Sequence, residues 1–272
     1  MKKLIIGSLA LFASGAVMAD GSPWIGTPGS TSINISNVLQ SADELYVGSE
    51  DGDLPDDLKL RTQWLSIGHV VSDDLVVDIK LGYAESEFLD SNADSGSTDS
   101  SVGLTWRLRD EFLADSWLPS VAVRGAVNIA GAYSEGELPS IGDGASGAET
   151  SIIVGKVFNN VFAASSELGY RYRDSGVDDD IFVNINAYAQ VNDQFSASLG
   201  YHQISASGDL DIGGQGFTGD FTEVAEDVRV VDFGLTYEFQ SRINVTASYG
   251  EVIGGRNTAK SEISAISVGY TF

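Results

Sequence analysis

Hydrophobic and polar residues alternate along most of this chain with a period of two. Over 75–86, Leu75, Val77, Ile79, Leu81 and Tyr83 share one face, while Val76, Asp78, Lys80, Gly82 and Ala84 share the other. That pattern belongs to an extended strand with unlike surroundings on its two sides. Residues 100–109 repeat it, with Val102, Leu104, Trp106 and Leu108 set against Ser101, Gly103, Thr105 and Arg107. The last stretch places Ile266, Val268, Tyr270 and Phe272 at every second position. Twelve such segments are predicted, at 31–40, 58–70, 75–86, 100–109, 120–133, 149–158, 161–173, 180–191, 195–206, 228–239, 243–253 and 258–272. Long polar loops and very short turns separate them in alternation.

The start of the chain reads differently. Lys2 and Lys3 precede an apolar run from Leu4 to Val17, and Val17-Met18-Ala19 supplies small residues for cleavage, so 1–19 is expected to be a secretory signal peptide. A spanning helix needs ~20 apolar residues, and no later segment reaches that length. Strands cross a membrane only as a closed barrel, which pairs every backbone group and leaves no edge. The segments lie near the ~9–11 residues that a tilted strand needs to span a bilayer. An even strand number with short turns at one end and long loops at the other predicts an all-β fold. It is a transmembrane up-and-down antiparallel β-barrel of about 12 strands over 31–272, in a Gram-negative outer membrane. Asp20 to Ser30, with Trp24 between Pro23 and Pro28, is expected to be a short periplasmic segment or plug.

Aromatic positions fit the same orientation. Tyr83, Tyr133, Tyr170, Tyr172, Tyr201 and Tyr249 fall at the outer ends of segments, and Trp106, Phe158, Phe162, Phe195, Phe239 and Phe272 at the periplasmic ends. Two belts at the lipid–water boundaries are the expected result. One segment departs from simple alternation. The face carrying Lys59, Arg61 and Gln63 turns apolar at Leu65 and Ile67, which predicts a β-bulge near Trp64.

Charge and composition narrow the function. The chain has 39 acidic and 15 basic residues for a net charge of −24, which becomes −26 once Lys2 and Lys3 leave with the signal peptide. Nucleic-acid binding is excluded on that balance. Without cysteine there is no disulfide, thiolate chemistry or zinc–thiolate site. No cofactor or metal is expected. Acids crowd the predicted loop 41–57, as Asp43, Glu44, Glu50, Asp51, Asp53, Asp56 and Asp57. Asp51-x-Asp53 opens like a calcium loop, but Pro55 replaces the third ligand and Asp56 the required glycine. A solvated acidic rim, bridged by divalent ions to lipopolysaccharide phosphates, is the expectation, and it would favour cations at the mouth.

The polar face of the strands carries Asp78, Lys80, Arg107, Arg124, Lys156, Glu167, Arg171, Asp232 and Glu238, with Asn184, Asn186, Gln190, Asn244 and Thr246 between them. These residues predict either a lining that selects solutes or a salt-bridge ladder that holds a narrow barrel together. Arg107, Arg124 and Lys156, on three consecutive strands, are expected to form one basic patch at the periplasmic end. Only two histidines exist. His69 lies near a periplasmic turn, and His202 stands in Tyr-His-Gln-Ile-Ser. The twelve-stranded outer-membrane phospholipases carry histidine and nucleophilic serine two residues apart, followed by Asn-Gly. Here Ile204 takes the serine's place, Ser205 is out of phase, and no Asn-Gly follows. The chain is therefore not expected to be an enzyme.

Two resemblances extend this reading. Phe272 resembles the terminal aromatic of bacterial outer-membrane barrels, which the barrel assembly machinery reads as an insertion signal. Asp53-Leu54-Pro55-Asp56, the stretch Gly68-His69-Val70-Val71-Ser72-Asp73, Gly103-Leu104-x-Trp106-Arg107-Leu108-Arg109 and Leu168-Gly169-Tyr170-Arg171-Tyr172-Arg173 are similar to a family of outer-membrane proteins. That family is named for the meta-pathway of phenol degradation. The resemblance implies a twelve-stranded barrel that passes small solutes, aromatic or apolar ones among them. The expected function is thus an outer-membrane channel or transporter for passive passage of small solutes. The alternative is a structural or adhesive barrel with a closed lumen and functional acidic loops. Expected partners are outer-membrane lipid and lipopolysaccharide, the assembly machinery and small solutes.

Overall fold

The computed structural model describes residues 21–89, 91–113, 117–159, 161–240 and 242–272. The expected signal peptide lies outside the described residues. From Thr31 the chain forms strands β1 (Thr31–Val47), β2 (Glu50–Ser72), β3 (Leu75–Phe88), β4 (Ser91–Ser97), β5 (Ser100–Arg109) and β6 (Ser120–Ile129). These are followed by β7 (Gly147–Val157), β8 (Phe162–Arg173), β9 (Asp180–Gln190), β10 (Phe195–Ala206), β11 (Asp227–Glu238), β12 (Ile243–Arg256) and β13 (Glu262–Thr271). Neighbours pair antiparallel, and the β1–β13 and β2–β3 pairings close the ring. β4 pairs with the outer part of β3 and β5 with its inner part, so both belong to one barrel strand broken at 98–99. The result is a closed antiparallel barrel of 12 strands. Closure matters because it leaves no unpaired edge in lipid.

Alternation sorts side chains as the sequence predicts. Leu104 is 45% exposed on the outer face, whereas its neighbour Thr105 is 3% exposed on the inner one. Ile266, Val268, Tyr270 and Phe272 all point outward. Trp106, Phe158, Phe162, Phe195, Phe239 and Phe272 are exposed at the periplasmic end, and Tyr83, Tyr170, Tyr172 and Tyr249 at the other. Tyr133 leaves the belt, because β6 ends at Ile129 and Tyr133 lies in the following loop with its hydroxyl donating to Asp99 at 2.5 Å.

Three expectations about the polar segments need correction. Residues 41–57 are not a loop: β1 and β2 continue through them to a turn at 48–49. Acidic residues have poor strand propensity, but here they alternate on a hairpin whose edge is held by Tyr46 N–H to Thr258 O and Lys260 N–H to Glu44 O. Residues 87–99 likewise hold strand β4 rather than a plain loop. No bulge occurs at Trp64. The β2–β3 register runs unbroken from Lys59 to Val70, and the shifts fall at Ala42/Glu44 and Val70/Ser72. Lys59, Arg61 and Gln63 stay on the outer face because the long hairpin carries them above the lipid.

Inward glycines let large side chains lie against the wall. A Cβ at Gly103 would strike the Arg124 guanidinium, and one at Gly169 would strike the Phe182 ring. Facing has a direct test in Leu104→Arg. An arginine on the lipid face near the bilayer midplane costs about 2–4 kcal/mol, while Leu104→Phe should be tolerated. Chemical unfolding in lipid vesicles would measure both, and equal costs would show that Leu104 does not face lipid.

Candidate functional site

The lumen has two unlike walls. On the first, inward positions of β3, β6, β7, β8 and β9 line up charged groups. Arg124 of β6 grips Asp78 of β3 through both terminal nitrogens, at 2.5 and 2.9 Å. Its Nε lies 3.8 Å from Glu149 of β7. Arg171 of β8 continues the row, 3.2 Å from Glu149 and 3.4 Å from Asp180 of β9. Arg173 then pairs with Asp180 at 3.6 Å and with Asp143 of the loop 130–146. This is an ion-pair ladder from mid-barrel to the outer mouth.

Deeper on the same side runs a hydrogen-bonded chain across five strands. Ser151 donates to Glu167 at 2.5 Å, and the Asn184 amide donates to the other Glu167 oxygen at 2.9 Å. Asn184 Oδ1 lies 3.0 Å from His202 Nδ1, and His202 Nε2 lies 2.6 Å from Asp232. Every member is buried. Burial of such groups is tolerated only because each has a partner.

The second wall carries an apolar cluster in its outer part, above inward polar residues such as Ser36, Thr236, Thr246 and Ser267. Val38 of β1, Val230 of β11, Val252 of β12 and Ile263 of β13 form a buried cluster, with Tyr46, Trp64, Val228 and Ala265 packed on it. Lys80 sits over the Trp64 ring, 4.8 Å from its centroid, where the two walls meet.

The expected basic patch does not form. Arg107, one inward position below Thr105, the cross-strand neighbour of Arg124, pairs instead with Asp74 at 3.2 Å and Asp110 at 2.9 Å at the periplasmic turns. Lys156 pairs in register with Ala164, which puts it in the outward phase with Ile152 and Val154, and its amine bends to Glu111 at 2.8 Å. Each of the three cations has its own acidic partner: Asp110 for Arg107, Asp78 for Arg124 and Glu111 for Lys156. Asp78, Arg124 and Arg171 are brought together as a ladder, Glu167 and Asp232 join the histidine chain, and Glu238 lies at the periplasmic end beside Arg242 and Asp193. His69 hydrogen-bonds Thr31 at 2.9 Å near the seam. Phe272 closes that seam, its N–H donating to Thr31 O at 3.0 Å and its carbonyl accepting from Thr31 N–H at 2.9 Å.

Sequence reading missed several inward groups. Glu149 shares the phase of Ser151 and Ile153, so alternation alone could have found it. In the run Val228-Arg229-Val230-Val231 the positions 228 and 230 that share the inner face are both apolar, which is the sequence trace of that cluster. Glu111 carries no such signal, since it sits in a turn. Its carboxylate is buried and accepts from the Trp24 indole at 3.1 Å and the Val157 N–H at 3.0 Å. Trp24 also meets Tyr188 edge to face, with centroids 6.0 Å apart. A Cβ on Gly21 would meet Ile153 and Arg124. Residues 21–24 therefore lie inside the barrel, whereas 26–29 are exposed.

The outer mouth is stapled by Asn257, which occupies a positive φ of 53°. Its Oδ1 accepts from Gly48 N–H at 2.8 Å and Ile212 N–H at 3.1 Å, and its amide donates to Ala225 O at 2.8 Å. Beside it, Glu226 accepts from the Thr258 hydroxyl at 2.6 Å. Although Glu226 keeps exposed surface, desolvation by the surrounding loops pushes its carboxyl above its ordinary 4.5. As pH rises past 4.5 the unfolded chain ionises first, so stability falls until the folded carboxyl ionises too. Glu226→Gln keeps the Thr258 bond and removes the charge. Its melting temperature should exceed the parent's at neutral pH and match it in acid. A lower melting temperature at neutral pH would contradict this.

Comparisons with known proteins fit this geometry. A family profile described as "Putative MetA-pathway of phenol degradation" matches residues 26–266. The chain belongs to that family. No curated protein matches it. Among solved structures, an outer membrane channel of the COG4313 group from Pseudomonas putida F1 superposes with a TM-score of 0.76 at 12% identity, covering 94% of this chain and 100% of that one. The NanC porin follows at a TM-score of 0.57, 11% identity and coverage of 88% and 98%. The KdgM porin gives 0.56 at 8% identity, with coverage of 89% and 99%. At these identities the likeness is one of fold, that of outer-membrane channel barrels.

Proposed function

We propose that this family member is a passive outer-membrane channel for small, largely apolar solutes, aromatic ones included. The apolar inward wall around Val230 and Val252 carries the reading. A lumen serving only ions and sugars gains nothing from a contiguous hydrophobic strip, whereas an apolar solute needs one to leave water. The name of the family, and its link to phenol degradation, agree with such solutes. The selectivity residues are Asp78, Arg124, Glu167 and Arg171 on the other wall, and Asp232, two residues below Val230 on β11. In this reading the signal peptide 1–19 directs export and is cleaved before Asp20, Phe272 directs insertion by the assembly machinery, and the acidic hairpin meets lipopolysaccharide through divalent ions. The segment 20–30 acts as a periplasmic plug latched by Glu111 on Trp24.

The paired ladder supports a second reading, a structural barrel with a closed lumen. A double change separates the two. Val230→Thr with Val252→Thr keeps shape but adds two hydroxyls, and it should weaken binding of 4-fluorotoluene to the purified barrel severalfold by fluorine NMR. Unchanged binding would remove the apolar wall from the account.

A further inference from the structure

The Trp24 indole lies inside the barrel but belongs to no wall strand. It rests in a seat built from the turn after β5 and from β7, β8 and β9. Its N–H donates to Glu111 Oε1 at 3.1 Å in that turn. Tyr188 of β9 meets the ring edge to face, with centroids 6.0 Å apart. On β7 the indole lies against Gly155, where a Cβ would stand 2.7 Å from it and 2.5 Å from the Pro23 ring. Register sets Gly155 opposite Ser165 and Val157 opposite Ala163, so β8 presents only small side chains beside the ring.

The acceptor in this seat is fixed by groups other than Trp24. Lys156 pairs with Glu111 Oε2 at 2.8 Å, and the Val157 N–H donates to Oε1 at 3.0 Å. The Glu111 N–H in turn donates to the Ser120 hydroxyl at 3.1 Å, and the Glu111 side chain is only 3% exposed. Departure of the indole would therefore leave a buried, oriented carboxylate oxygen short of one donor. Such an oxygen is costly unmatched and rewards an incoming N–H or O–H. Trp24 itself is held less firmly. It keeps some exposed surface, the Ser22 hydroxyl bonds back to the Trp24 backbone rather than to the wall, and 26–29 are exposed.

We propose that the Trp24 seat is a binding site for a planar aromatic solute with one N–H or O–H donor on its rim, which takes the place of the indole. The Trp24 side chain stands in for that solute, its ring on Gly155 and Tyr188 and its donor on Glu111. The site deepens the channel reading and rests on it. Occupation by Trp24 lowers the apparent affinity of the parent chain to the fraction of molecules whose seat is empty. A ring of the same shape without a donor leaves the Glu111 oxygen unmatched, so the seat rejects it. Arrival of the right solute frees Trp24 from its latch, which couples binding to withdrawal of residues 21–24 from the interior.

The test uses the full barrel in lipid nanodiscs and fluorine NMR with 5-fluoroindole and 5-fluorobenzothiophene, rings of like shape with and without the N–H. Trp24→Ala vacates the seat, so it should bind 5-fluoroindole about tenfold more tightly than the parent does. The same variant should prefer 5-fluoroindole over 5-fluorobenzothiophene by about tenfold. Adding Glu111→Leu should erase that preference. Heat-dependent gel mobility establishes folding, and where Glu111→Leu does not fold, Gly155→Val added to Trp24→Ala fills the seat and should abolish the gain. Equal affinity of parent and Trp24→Ala for 5-fluoroindole, or equal affinity of Trp24→Ala for the two rings, would overturn the seat. Failure of 4-fluorotoluene to bind the parent barrel would instead overturn the apolar-wall reading, which separates the two proposals.

Discussion

Replacing Arg124 by Met should cost this barrel about 3–5 kcal/mol of unfolding free energy, the usual result of stripping one partner from a buried ion pair. The Arg124 side chain is 2% exposed, and it faces Asp78 and Glu149 together. Its loss leaves the Asp78 carboxylate, among the described residues, with no cation within hydrogen-bond reach, while Glu149 retains Arg171. Hydrophobic replacement of one partner gives no compensation, because the remaining charge still lacks water. Adding Asp78→Asn should recover part of the loss, so the two changes together should cost less than their sum. Denaturant unfolding in vesicles, followed by tryptophan fluorescence, reads all three variants. A cost below about 1 kcal/mol would match a solvent-exposed pair and would mean that Arg124 stands in open water.

The barrel was legible because a membrane wall leaves few choices. Lipid on one side and polar groups on the other force strict alternation, and segments such as 75–86 and 100–109 obey it without exception. The outer parts of β1, β2 and β4 were not legible. Above the lipid both faces are wet, so Asp43 to Asp57 carry no hydrophobic phase, and their strands are specified by pairing with distant residues such as Thr258 and Lys260. Among site residues, alternation assigned Asp78, Arg124, Glu167, Arg171 and Asp232 to the lumen, since each sits on a long strand. At Lys156 alternation gives the outward phase of Ile152 and Val154, which the lumen assignment overlooked, and the flexible amine bends to Glu111. Glu111, Glu226 and Asn257 lie in turns and loops, where no period exists to reveal which way a side chain points. The pairing partners inside the lumen depend on register across strands, which one strand's pattern does not contain.

Removing residues 21–30 should change transport more than any single substitution. Trp24 is held between Glu111 and Tyr188, and Gly21 packs beside Ile153 and Arg124, so residues 21–24 fill part of the barrel interior. The barrel strands from Thr31 onward are paired independently of it, apart from the bonds Gly29 N–H to Val70 O and Val70 N–H to Ser30 O. Deletion should therefore leave heat-dependent gel mobility intact. Single-channel recording in planar bilayers, comparing the mature chain with this deletion, tests the channel account most directly. The account predicts small, discrete openings for the mature chain and a severalfold larger, steady conductance for the deletion. A folded deletion variant that passes no current would contradict it and leave a closed structural barrel.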